Sequence, residues 1–140
     1  MINLTNRIAA LAGMLVLTGT AAFAQEMKLD VPFAFHTPNA TMAPGTYLMT
    51  HVPSGTSTVV YRVRNAETGK SVLVVAPNRV SRKSGETNYA PKVDFQCAGE
   101  YCALATIYRP SNPAGDGLSV NLKKAPRGEK IAGVTIPARH

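Results

Sequence analysis

The chain has 140 residues, enough for one domain. Fifteen Lys and Arg against eight Asp and Glu give a formal charge of +7 and an isoelectric point near 9.7, with 45% hydrophobic residues and no Trp. That apolar fraction excludes a disordered charged tail, and the 10 Pro and 11 Gly, spread along the chain, argue for many turns rather than a low-complexity tract.

The N-terminus opens with Arg7, continues with an apolar run over residues 8–17, and reaches the small-residue end Ala22-Phe23-Ala24. A cation, a short hydrophobic stretch and an A-x-A end are the parts of a secretory signal peptide, so cleavage is expected before Gln25. The alternative is a membrane anchor. Residues 8–23 are too few, and too interrupted by Thr18, Gly19 and Thr20, for the roughly 20 apolar residues of a spanning helix. The expected organisation is a signal peptide over 1–24 and a single domain over 25–140, placed in the periplasm or outside the cell, with no transmembrane segment after cleavage.

Beyond Gln25 no stretch of helical periodicity stands out, and short apolar runs alternate between turn residues. Residues 27–35 read as a first strand, with Pro32 marking an edge or bulge. Residues 46–52 follow the Ala43-Pro44-Gly45 turn and carry Tyr47, Met49 and His51 on one face. Residues 59–64 alternate most clearly, with Val59, Tyr61 and Val63 against Val60, Arg62 and Arg64. A turn over 65–70, with Gly69 suited to positive φ, leads back into 71–76 as a hairpin. Residues 79–91 are polar and read as an exposed excursion. A second hairpin, 92–97 with 102–109, follows, and 118–123 and 131–136 are weaker strands. Seven to eight short strands predict an all-β fold, a small antiparallel sandwich or barrel.

Cys97 and Cys102 are the only cysteines, and in an exported chain such a pair predicts a disulfide. If Gly99-Glu100 is a two-residue turn, Ala98 pairs with Tyr101 and Cys97 faces Cys102, with Cα atoms about 4.5 Å apart. Phe95 then lies opposite Leu104 on the same face, and Lys92, Asp94 and Gln96 lie on the other. Closing so short a loop is worth about 2 kcal/mol. The alternative, a redox-active pair, lacks the two-residue spacing and the helix start that lower a thiol's pKa.

The histidines, His36, His51 and His140, fall in no metal-site spacing, although His36 and His51 could meet across a hairpin. There is no G-x-S-x-G or S-x-x-K pattern, no phosphate loop, and the neighbouring acids Asp94 and Glu100 read as solubilising groups. The expectation is a protein with no catalytic residues, cofactor or metal. The excess cations, chiefly Arg79, Arg82, Lys83, Lys123 and Lys124, would attract an envelope polyanion, a glycan or lipid head group, if they are more than solubilising. Arg62, Arg64 and Arg127 add to the positive charge. Nucleic acid fits poorly with export and with few aromatics for stacking. Asn39-Ala40-Thr41 matches a glycosylation acceptor, relevant only in a host that modifies such sites.

Val31-Pro32-Phe33-Ala34-Phe35, then Met42-Ala43-Pro44-Gly45-Thr46-Tyr47, resembles a group of small exported proteins abundant in Acidobacteria. Those carry a P-F-x-F strand followed by L-P-A-G-T-Y. Val93-Asp94-Phe95, Gly99-Glu100-Tyr101 and Leu104-Ala105 are similar to the group's F-x-x-x-G-x-x-Y-x-L-A hairpin, with the tyrosine displaced by one position and the cysteines peculiar to this chain. The resemblance implies a small exported all-β domain and no activity. The expected function is therefore a non-enzymatic structural or binding module of the envelope or extracellular space. Its alternatives are a subunit that polymerises by donating residues 25–35 as a β-strand to a neighbour, and a polyanion-binding module.

Overall fold

The computed structural model describes residues 26–123 and 127–139. The signal-peptide reading over 1–24, Lys124 and His140 lie outside them. The described residues form eleven strands and no helix: β1 Glu26–Val31, β2 Phe35–His36, β3 Thr41–Met42, β4 Gly45–Val52, β5 Val59–Asn65, β6 Ser71–Ala76, β7 Asn78–Ser81, β8 Lys92–Ala98, β9 Tyr101–Tyr108, β10 Ala114–Gly117 and β11 Ile131–Pro137. The expected all-β sandwich is what the chain builds. One sheet has the order β1-β4-β5-β6, the other β11-β8-β9-β10-β7, with β2 and β3 attached to the second through β9.

Alternation decides which side chains fill the space between the sheets. Met27, Leu29 and Val31 of β1, Tyr47 and Met49 of β4, Tyr61 and Val63 of β5 and Val74 of β6 are buried from one side. Val93, Phe95 and Cys97 of β8 with Cys102, Leu104 and Ile107 of β9 are buried from the other. Phe35 packs edge-on against both Tyr47, at 5.0 Å, and Phe95, at 5.3 Å, and so ties the two layers together. The corners are closed differently. Ala76 passes through Pro77 directly into β7, while at the far corner Lys28 and Arg139 exchange backbone hydrogen bonds of 2.7 and 2.9 Å.

Three strand expectations need correction. The strand expected over 27–35 ends at Val31, because Pro32 has no N–H for a ladder; pairing resumes at Phe35–His36 in the other sheet. The excursion expected over 79–91 contains most of β7, which pairs with β10. The strand expected over 118–123 is irregular, and the strand of this region is β10, Ala114–Gly117, whose Ala-Gly-Asp-Gly sequence carries no β-forming signal. The β5–β6 hairpin turns where expected: Asn65 Oδ1 accepts the N–H groups of Glu67 and Thr68, and Gly69 has φ of 74°.

Candidate functional site

The β8–β9 hairpin is organised by its ends. Gly99 adopts φ of 61° in the two-residue turn, which sets Ala98 opposite Tyr101, Cys97 opposite Cys102 and Phe95 opposite Leu104, as the sequence predicts. Cys97 and Cys102 form a disulfide with Cα atoms 4.0 Å apart. Continuing that ladder would bring Thr106 opposite Val93. Instead the register shifts between Asp94 and Phe95, so that Val93 meets Ile107. The bulge leaves Ala105 unpaired and keeps Leu104 and Ile107 both facing the core.

The disulfide floors an open apolar groove of about 590 Å³, walled by Phe33 and Ala34 on one side and by Ala132 and Val134 of β11 on the other. A second cleft, about 230 Å³, lies on the opposite side of the hairpin. In it the His36 ring stacks on Tyr101 with centroids 4.0 Å apart, and Thr37, Ser119 and Asn121 supply polar groups. His36 Nδ1 is 3.0 Å from the Thr41 hydroxyl. His51 lies in the other sheet, edge-on to Tyr61, so the two histidines do not converge. Among the described residues no group of three His, Cys, Asp or Glu is placed to hold a metal, and the His36 cleft is lined by no carboxylate.

A buried polar cluster joins the sheets near the other end of β9. Asp116 faces inward beside Ile107 and accepts a 2.5 Å hydrogen bond from the Tyr61 hydroxyl. Arg109 Nε is 3.3 Å from the same carboxyl oxygen but is not aimed at it, so the contact is one of charge without a hydrogen bond. Burial, with the adjacent Asp116 carboxyl second, pushes the Tyr61 phenol well above its ordinary pKa. Nothing in the sequence signals this cluster: Asp116 between two glycines reads as a turn residue.

The cations singled out from the sequence are dispersed in their roles. Arg79, Lys83 and Lys123 are exposed. Arg82 is not part of such a surface. Its side chain is 3% exposed; it donates to the carbonyls of Ala90, Arg109 and Asn112, pairs with Glu86 at 3.3 Å, and lies over the Tyr108 and Tyr89 rings. The reason is that its five-donor planar head fits a pocket of carbonyls formed where two loops meet. Lys92 reaches Glu86 at 2.5 Å, and this hydrogen bond leads the causes that hold the Glu86 carboxyl below its ordinary pKa.

The Asn39 amide donates to the carbonyl of Leu73 at 2.9 Å and so covers part of the β6 edge. The segment expected to serve as a donated strand is β1 of its own sheet, paired with β4 from Glu26 to Val31. No helix of the described residues is long and apolar enough to cross a membrane. In comparison with known proteins, no family model, no curated protein and no solved structure matches the chain.

Proposed function

We propose that the chain is an exported, non-enzymatic β-sandwich acting as a structural or binding module of the cell envelope or the extracellular space, a role in keeping with the resemblance to the small exported proteins of Acidobacteria. The observation that carries this reading is the Cys97–Cys102 disulfide across the β8–β9 hairpin. A bond of this kind persists in oxidising compartments and is rare where glutathione and thioredoxin keep thiols reduced. It agrees with the leader-like residues 8–24. The module's accessible features are concave and chemically plain: a groove floored by a disulfide and a cleft holding a stacked His36–Tyr101 pair.

Fractionation of cells producing the full chain, followed by intact mass measurement, tests the reading. The expected product is found outside the cytoplasm, begins at Gln25 and is lighter by two hydrogens than the reduced chain. Retention in the cytoplasm with both thiols free would overturn it. The polyanion alternative rests on Arg79, Lys83, Lys123 and Lys124 without the buried Arg82, and it predicts binding to anionic vesicles that weakens steeply with added salt.

A further inference from the structure

An open sheet edge is a template for another strand, and natural proteins cover or charge such edges. Four strands end the sheets here, and β1 carries Lys28 and Asp30 and is bridged to Arg139. β6 is partly covered through Asn39, and β7 carries Arg79. β11 has neither protection: Ile131–Pro137 contains no ionisable side chain, and Ile131 is 62% exposed.

The backbone of β11 is directed outward in an orderly way. Beyond its end, Arg139 bonds Lys28 through both its N–H and its C=O, whereas Ala138 donates toward the β8 side, to Pro91. Alternation in an antiparallel ladder therefore turns the N–H and C=O groups of Ile131, Gly133 and Thr135 away from β8. Among the described residues nothing pairs with them.

We propose that two copies of the chain pair through β11, antiparallel about a two-fold axis at Gly133, joining their two seven-stranded sheets into one. The sequence around that axis is self-complementary. Ile131 of each copy falls opposite Thr135 of the other, Ala132 opposite Val134, and Gly133 opposite Gly133. β-branched side chains meet on the outer face and apolar ones on the groove face, where Ala132 and Val134 line the opening above the disulfide. The chain as a whole carries +7, yet between Glu129 and Pro137 no like charges oppose one another, because Glu129 and Lys130 fall opposite Pro137 and Ile136; the first like-charge meeting in this register, Arg127 with Arg139, lies beyond both ends of β11. A foreign strand would need no such symmetry, and for that reason the occupant is a second copy. Gly133 fits the same picture. A Cβ there would meet nothing within 4 Å and its φ is not in the left-handed region, so the isolated fold does not require glycine at this strand-interior position. A close approach of another backbone does.

Sedimentation equilibrium on the isolated protein, with its disulfide intact, tests the pairing. The protein should sediment at twice the monomer mass. Gly133→Lys and Gly133→Glu place a charge in open space, so each should keep the thermal midpoint that the parent shows when diluted to monomer, and each alone should sediment at the monomer mass. An equal mixture of the two should return to the doubled mass, with one chain of each kind by native mass spectrometry. A parent protein monomeric at every concentration, a Lys variant that still dimerises, or a mixture that stays monomeric would each overturn the proposal.

Discussion

Phe95 sits between two very different neighbours. On one side it pairs with Leu104 of β9, and on the other with Val134 of β11. β9 is buried along almost its whole length, on both faces, while β11 is exposed at five of its seven positions and only half-buried at the other two, Val134 and Ile136, which pack against the core. The two strands carry similar apolar residues, so composition does not explain the contrast. What differs is cover. β10 and β2 share the free edge of β9; Arg82 and Lys92 roof the Tyr108 ring; and Gly115, where a Cβ would come within 2.5 Å of that ring, lets β10 lie close beneath it. β11 has β8 on one edge and only the Lys28–Arg139 bridge near the other. A strand is as stable as the material packed on both its faces and edges, which is a property of the whole fold.

The sharpest test of that contrast is a matched pair of truncations on either side of Phe95. Leu104→Ala, at 1% exposure, should lower unfolding free energy by about 2–5 kcal/mol, whereas Val134→Ala, half-buried, should lower it by about 1 kcal/mol. Urea denaturation measures both, and equal losses would break the comparison. Next in size is the roof over β9. Arg82→Ala frees three carbonyls and Glu86 from one cation and should remove about 2–3 kcal/mol, with Arg82→Lys recovering only part, because an ammonium cannot reproduce the planar fork. The same variant should leave any affinity for anionic vesicles unchanged.

Replacing both cysteines, Cys97→Ala with Cys102→Ala, should cost about 2 kcal/mol by the short-loop estimate, and amide exchange should quicken first around the 99–100 turn while β10 stays protected. The smallest effect belongs to Tyr61→Phe, about 1 kcal/mol at neutral pH for one buried hydrogen bond to Asp116. Its signature is alkaline. The folded phenol titrates above its ordinary value of 10.0, so its contribution is whole below that pH and is lost progressively as pH rises beyond it, when the unfolded chain ionises and the folded one does not. Thermal midpoints followed above that pH should therefore fall more steeply for the parent than for Tyr61→Phe; parallel curves would remove the Tyr61–Asp116 bond from the account of how the sheets are joined.

Local features were legible wherever the physics is local. Period-2 alternation over Val59–Asn65 reports which side faces the core, and the four-residue gap between Cys97 and Cys102 fixes their pairing once a two-residue turn is assumed. Pro32 announced a disturbance, though not that the chain would change sheets there. The candidate sites were less legible. His36 meets Tyr101, and Tyr61 meets Asp116 across a separation of 55 residues, through contacts that no spacing rule encodes. Arg82 reads as one more surface cation until two loops supply the carbonyls around it.

The sequence by itself determined the strand character of the chain, the hairpin turns at Gly69 and Gly99, and the cysteine partnership, because each depends on residues only a few positions apart. Tertiary structure alone decided that the glycine-bearing run Ala114–Gly117 becomes a strand, that Asp116 turns inward, and that β9 is sealed while β11 is left open. Those outcomes depend on which distant segments come to lie alongside, and long-range pairing is set by the packing of the whole sandwich rather than by any one segment's own preference.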